Sequence, residues 1–335
     1  MTPQLTPTPA PVIDALRSAT RILVTTHKNP DGDALGSAAA FGRIAQSLGK
    51  EVRFFCETPT PDHLEWLPMP AKLVHSMTEL DGWQFDTLTV VDCADQYRAG
   101  AEMAELLSAP FAQRKYRIIS IDHHTGNPLY GDENWVDPNY CATGAIIGEL
   151  ARSLNIPLAG ELGKALYLAI ASDTGSFSYA NTNAQALHLA AEIVDNGLSV
   201  AEFTQEYEYN WSLSRMRLWG QLMNEVRLEC EGAVAVSVVT AAHLERYGLK
   251  PNALEDYASW LRRLAGVKVV LFARTAKHGT KVSLRSMGDV NVQAVAAQFG
   301  GGGHVAAAGV DMPGEPGEAA ARILPLLCEL ITPGS

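Results

Sequence analysis

Residues 21–50 read RILVTTHKNPDGDALGSAAAFGRIAQSLGK. A run of branched apolar residues gives way to a loop that holds His27, Asp31 and Asp33 among Pro30 and Gly32. An Ala-rich stretch follows and stops at Gly49. Branched residues favour the extended chain, Ala-rich stretches favour helix, and a Gly just past the last helical residue ends it well. The segment therefore predicts strand, loop and helix, which is how an α/β unit begins.

The same alternation recurs downstream. VRFFC (52–56), TLTVVDC (87–93) and RIISID (117–122) predict further buried strands, and helices are expected over 143–155 and 160–171, broken at Pro157. This is the pattern of a doubly wound parallel sheet. In such sheets ligands bind at the carboxyl ends of the strands. The chemistry-bearing residues lie there: His27, Asp31 and Asp33 after the first strand, Asp92 and Asp95 after the third, and Asp122, His123 and His124 after the fourth. A further acid, Asp173, ends a helical segment in ASDTGSF.

The second half reads differently. Residues 182–224 are helical and carry irregularly spaced aromatics (Phe203, Tyr207, Tyr209, Trp211, Trp219), which suits a connector. VRLECEGAVAVSVVT predicts a hairpin, VKVVLFART and KVSLRSM a strand pair turning at His278 and Gly279, and helices begin near Asn291 and Gly317. The fold class expected is α/β: a parallel-sheet doubly wound N-terminal domain plus a smaller mixed-sheet α/β C-terminal domain. The division expected is a disordered tail over 1–12, a catalytic domain over 13–185, the helical connector over 186–225 and a second domain over 226–332.

Composition narrows the function. A chain of 335 residues, 47% hydrophobic and with mean hydropathy near zero, holds enough apolar material for two domains. Apolar runs such as Ala165 to Ala171 fall far short of the roughly 20 residues that cross a bilayer. The Pro/Thr-rich start lacks a basic and apolar leader, so a cytoplasmic location is expected. Five scattered cysteines with no C-x-x-C pair predict reduced thiols and no thiolate zinc site. A net charge of −11 opposes binding of long nucleic acid, which needs many Lys and Arg contacts with phosphate. A nucleic-acid substrate should be short.

If three strand ends converge, several carboxylates a few ångströms apart repel, and at least one takes up a proton unless cations sit between them. Metal ions explain the set economically. Two divalent cations about 3.5–4 Å apart form a known clamp for phosphoryl chemistry. A mixture of imidazole and carboxylate without thiolate suits Mn²⁺ better than Mg²⁺, with Zn²⁺, Co²⁺ and Fe²⁺ also open.

The loop H-x-N-P-D-G-D-A-L-G-S, then VVDCAD, IDHH and SDTGSF, in this order, resemble the four motifs of the DHH phosphoesterase superfamily. GGGGH-x-x-A-A-G at 300–309 resembles the signature of its DHHA1 substrate domain. Length and the absence of extra domains bring the chain nearest to the nanoRNase/pAp phosphatase group, and the resemblance spans residues from about 12 to 330. It implies a Mn²⁺-dependent phosphodiesterase and 3′-nucleotidase that degrades very short RNA to mononucleotides and removes the 3′-phosphate of pAp. It also implies one metal on His27, Asp31 and Asp92 and a second on Asp33, Asp92, His123 and Asp173, with Asp92 bridging. His124 would touch the scissile phosphate and protonate the leaving oxygen, while Asn29 and Asp122 would orient neighbouring ligands from behind. In the second domain Arg262, Arg285, Gly301, Gly302, Gly303 and His304 match substrate-binding positions, with Arg263 adjacent to the first of them. A homodimer is compatible with the resemblance. The rival readings are a phosphodiesterase for c-di-AMP or pApA, a family II pyrophosphatase, and a nucleotide-sensing module without hydrolysis.

Overall fold

The computed structural model describes residues 5–331. The chain divides between Asn210 and Trp211 into two compact units. In the first, the elements run α1 (Ala10–Ser18), β1 (Arg21–Thr25), α2 (Gly32–Ser47), β2 (Glu51–Phe55), β3 (Leu73–Val74), β4 (Thr87–Val91), α3 (Ala101–Ser108), β5 (Arg117–Asp122), β6 (Glu133–Val136), α4 (Thr143–Ser153), α5 (Gly160–Asp173), α6 (Ala184–Asp195) and α7 (Val200–Tyr207).

All six strands pair in parallel in the order β3-β2-β1-β4-β5-β6. The four expected strands are present, and two short edge strands, β3 and β6, join them. The chain winds outward from β1 in both directions, so the topological switch lies between β1 and β4, where a crevice opens at the strand ends. Alternate residues of β1 serve opposite faces, Ile22 and Val24 in one core cluster and Leu23 in another. Both faces are therefore buried, as a parallel sheet requires. Helix α2 packs against α5 at a glycine: a Cβ on Gly36 would sit 2.5 Å from the Ala165 carbonyl oxygen. Gly49, at φ +76°, ends α2 with its N–H on Gln46 O at 2.9 Å.

The second unit runs α8 (Leu213–Asn224), β7 (Arg227–Glu229), β8 (Val234–Val239), α9 (Ala241–Tyr247), α10 (Tyr257–Trp260), β9 (Val269–Ala276), β10 (Gly279–Ser286), α11 (Val292–Ala297), β11 (Gly302–His304), β12 (Ala307–Met312) and α12 (Pro316–Ile331). Its sheet is mixed: the order is β11-β12-β10-β9-β8-β7, with only β8 and β9 parallel. Val269, Leu271 and Ala273 of β9 enter one core cluster, and Val270 and Phe272 the other, the period-two signature of a sheet covered on both sides.

Three expectations change. The segment 186–225, expected as one helical connector, is divided between the two units at Asn210 and Trp211. Phe203 and Tyr207 pack with Trp66 in the first unit, whereas Trp211 and Trp219 pack with each other, and Trp219 with Tyr257, in the second. The tail expected over 1–12 is anchored in its described part: α1 starts at Ala10, and Thr6 donates through its N–H and Oγ1 to Asp137 Oδ2 at 2.8 and 2.7 Å. Residues 1–4 lie outside the described residues. Cys230 and Cys328, 98 positions apart, form a disulfide with Cα atoms 5.6 Å apart, contrary to five reduced thiols. The fold brings the β7–β8 turn to the last helix, which no sequence spacing discloses. Cys56, Cys93 and Cys141 are free and buried. No helix among the described residues is long and apolar enough to cross a membrane.

Candidate metal centre

The carboxyl ends of β1, β4 and β5 deliver the predicted residues to one place. His27 follows β1, and the loop after it turns at Asn29, whose φ is +52° and whose N–H donates to Thr58 Oγ1 at 2.6 Å. Asp31 caps α2 by accepting the Ala34 N–H at 3.0 Å, and Asp33 lies in that helix's first turn. Asp92 directly follows β4 with φ +55°, a left-handed conformation rare outside glycine that marks functional sites. His123 and His124 leave β5, and Asp173 is the last residue of α5.

Two trios of donor atoms result. His27 Nε2 lies 3.6 Å from Asp92 Oδ2 and 3.9 Å from Asp31 Oδ2. His123 Nε2 lies 3.2 Å from Asp173 Oδ2, 3.7 Å from Asp33 Oδ2 and 3.7 Å from Asp92 Oδ1. Asp92 thus turns one oxygen to each trio. Within His27, Asp31 and Asp92, and within Asp33, His123 and Asp173, the ligand atoms all fall within 4.8 Å of one another. Asp92, His123 and His124 form a third such group.

Hydrogen bonds hold the acids in place. The start of α4 is the main support: Thr143 N–H donates to Asp33 Oδ2 at 2.7 Å, Gly144 N–H to Asp33 Oδ1 at 2.9 Å, and Thr143 Oγ1 to Asp92 Oδ1 at 2.9 Å. Ser37 Oγ adds a bond to Asp33 Oδ1 at 2.9 Å. Asp122 Oδ1 is hydrogen-bonded to His124 Nδ1 at 2.8 Å, and its Oδ2 accepts from Asn127 Nδ2 at 2.8 Å. Ser37 closes the loop motif quoted from the sequence, whereas Thr143, Gly144 and Asn127 were not singled out there as site residues. Only the meeting of α4 with the strand ends shows the part of Thr143 and Gly144. Asp95, grouped with Asp92 in the sequence, turns away and accepts the Tyr97 N–H at 2.8 Å.

The electrostatics of this arrangement strain against charge. Asp33 is wholly buried, and burial, reinforced by Asp92 and Asp173, holds its carboxyl well above the usual range. Burial, with Asp31 and Asp92 adding and His123 opposing, pushes Asp173 up to about 7. Burial also acts against the charge of Asp92, but the imidazoles of His27, His123 and His124 prevail and lower it. His124 rises to about 9: burial opposes its proton, and the bond to Asp122 and the charge of Asp92 overcome that. Like charges packed this closely cost several kcal/mol unless protons or cations intervene. The oxygen and imidazole donors therefore fit divalent metal ions, which would let all four carboxylates stay ionised.

The remaining predicted residues belong to the second unit. Arg285 lies on β10, its Nη1 donating to Leu284 O at 3.0 Å, and Arg262 Nε donates to Ser259 O at 3.4 Å. The glycine run forms the edge strand β11, with Gly302 opposite Gly309, Gly303 opposite Ala308 and His304 opposite Ala307. Gly301 lies just before it, and Gly302 and Gly303 are exposed.

Comparison with known proteins agrees with this architecture. The profile described as "DHH family, N-terminal domain" matches residues 21–170, and that of the "DHHA1 domain" matches 231–332. The chain is 32% identical to the bifunctional oligoribonuclease and PAP phosphatase NrnA of Thermus thermophilus, over 93% of this chain and 90% of that protein. It is 27% identical to the protein of the same name from Bacillus subtilis, over 87% and 89%. A solved exopolyphosphatase-related protein from Bacteroides fragilis superposes with a TM-score of 0.86 at 23% identity, covering 95% of this chain and 94% of that one, and so shares the fold. The chain belongs to the DHH phosphoesterase family with a DHHA1 domain. Within that family it falls in the NrnA-like group.

Proposed function

We propose that this chain hydrolyses phosphate esters of very short RNAs, releasing mononucleotides, and removes the 3′-phosphate of pAp. One observation carries the reading: Asp92 presents Oδ2 to His27 and Oδ1 to His123, each within 3.7 Å, as a carboxylate shared by two cations would. His27, Asp31 and Asp92 would hold one ion, and Asp33, Asp92, His123 and Asp173 the other. The hard and borderline donors suit Mn²⁺. When bound, such a pair polarises the phosphoryl oxygens and lowers the pKa of an attacking water.

The protein's own groups complete the chemistry. His124 commits Nδ1 to Asp122, so the proton it hands to the leaving oxygen is on Nε2. Burial opposes that proton, and the bond to Asp122 favours it. Asp122 and Asn29 act through their neighbours, the first by orienting His124 and the second by shaping the loop that carries His27 and Asp31. In the second unit Arg262, Arg285 and the backbone of Gly301 to His304 are the proposed nucleotide contacts. Forked guanidinium groups suit phosphate, and an exposed glycine edge without side chains lets a ligand approach the backbone closely. The NrnA names of relatives aligned over nearly their whole length favour this substrate class over cyclic dinucleotides.

The test is a side-by-side assay of pAp, RNA dinucleotides to pentanucleotides, cyclic dinucleotides and pyrophosphate, with Mn²⁺ and with a chelator. Rapid turnover of pAp and the shortest RNAs, lost on chelation, is expected. Preferential cleavage of cyclic dinucleotides or pyrophosphate, or no turnover at all, would overturn the reading.

A further inference from the structure

The metal centre uses the ends of β1, β4 and β5 and leaves those of β2 and β3 without a part. The segment between these two strands, residues 56–72, folds back along α2: Arg43 Nη2 donates to Pro68 O at 2.7 Å and Gln46 Nε2 to Pro70 O at 3.0 Å. Between this segment and the start of α2 remains a cavity of about 510 Å³, an ordinary volume for a small-ligand site. Its walls are mostly apolar and include the buried Leu35, Leu64 and Leu67. Three polar residues join them: Thr60, Glu65 and His75.

The chemistry of these walls selects the occupant. Among the described residues neither Lys nor Arg lines the cavity, so it offers a phosphate nothing to bind. The Glu65 carboxylate only accepts hydrogen bonds. His75 Nδ1–H donates to Cys56 O at 2.8 Å, which leaves Nε2 of the neutral imidazole as an acceptor. Apolar walls with acceptors beside them suit a flat, uncharged ring that carries donors on its edge. The cavity is also tied to the loop that bears the metal ligands. Leu35 lies two residues after Asp33, and its N–H donates to Asp31 O at 3.1 Å. Cys56, the partner of His75, donates its thiol to His27 O at 3.6 Å, and Thr58 accepts the Asn29 N–H at 2.6 Å. Adjacent strands lie about 5 Å apart, so the ends of β2 and β3 place the cavity one or two strand widths to the side of His27. A sugar spans that interval between a phosphate and its base.

We infer that this cavity receives the nucleobase of a nucleotide joined to the reacting phosphate, with the ring against the leucines and its amino edge towards Glu65 and His75. The inference rests on the phosphoesterase reading and gives the first unit a contact that selects among bases. Adenine, guanine and cytosine carry an exocyclic amino group and uracil does not, so acceptors at this place favour the first three.

The experiment compares the wild type with Thr60→Trp, which fills the cavity from a half-buried wall, and with Glu65→Ala, which removes an exposed acceptor. Saturation-transfer NMR follows the binding of adenosine, a nucleoside without phosphate, to each protein. Steady-state kinetics with Mn²⁺ follow pAp and the dinucleotides ApA and UpU, and calorimetry gives Mn²⁺ affinity. The wild type should bind adenosine, and Thr60→Trp should not. KM for pAp and ApA should rise about tenfold or more in Thr60→Trp, the usual worth of one well-held base. Its kcat and Mn²⁺ affinity should stay unchanged, because the base is held alike before and during the reaction. The wild type should prefer ApA to UpU, and Glu65→Ala should narrow that preference. An unchanged KM in Thr60→Trp, adenosine bound equally by both proteins or by neither, or a wild type indifferent between ApA and UpU would overturn the inference. If Thr60→Trp fails to fold, Glu65→Ala and the binding of adenosine to the wild type decide. Should the wild type cleave none of the substrates, the functional reading fails, and the adenosine comparison still decides whether the cavity holds a base.

Discussion

Asp33 and Gly302 belong to the two most conspicuous motifs of the chain, yet their surroundings are opposite. Both oxygens of Asp33 are claimed by the N–H groups that open α4 and by Ser37, and the residue has no exposure to solvent. Gly302 sits on an exposed edge strand, and a Cβ built there meets nothing within 4 Å. The first region is organised before any ligand arrives, at the cost of crowded buried charge. The second keeps one side of a backbone strand open and leaves its form to neighbours on one side only. A metal centre needs donors held within fractions of an ångström, whereas a nucleotide contact tolerates adjustment.

The largest effect expected from this contrast is at the shared acid. Asp92→Ala should reduce turnover by at least about 10³-fold, since charge stabilisation by a metal pair is worth several kcal/mol and each 1.36 kcal/mol is tenfold. The same variant should lose the rise in unfolding temperature that Mn²⁺ gives the wild type. Retention of most activity at saturating Mn²⁺ would remove Asp92 from its bridging place.

A smaller effect separates support from ligation. Thr143→Val keeps the shape of the side chain and the backbone N–H to Asp33, but it removes the hydroxyl bond to Asp92. Mn²⁺ affinity should fall about 10- to 100-fold, the usual loss when a group behind a ligand is removed. An affinity equal to the wild type's would show that the helix terminus alone sets the geometry.

The smallest effects probe the glycine edge. Gly303 has φ +133°, and a Cβ there would collide with the Ala307 carbonyl. Gly303→Ala should therefore destabilise the second unit by about 1–3 kcal/mol, read by denaturant unfolding. Gly302→Ala should change stability by less than about 0.5 kcal/mol. If it nonetheless raises KM for pAp, the exposed backbone is approached closely by substrate; an unchanged KM would leave the edge strand without a part in binding.

Much of the first unit was legible because its signals are local. A strand of branched residues, an Ala-rich helix and a glycine stop at Gly49 are read within a few positions, and the six proposed ligands sit at the ends of elements so defined. The hairpins of the second unit follow from the same short-range alternation. The edge strands β3 and β6 were not legible, being too short to show a period. The division of 186–225 escaped for another reason: Phe203 and Trp219 look alike in sequence, and only their neighbours assign them to different cores.

The amino-acid order by itself determined the α/β class, the position of each acid and imidazole at a strand or helix end, and the family likeness. Those depend on contacts a few residues apart. The tertiary structure alone decided which groups stand behind the ligands, that Asp92 faces both trios, and that Cys230 meets Cys328. These are meetings of segments tens of residues apart, and their distances exist only once the core has packed.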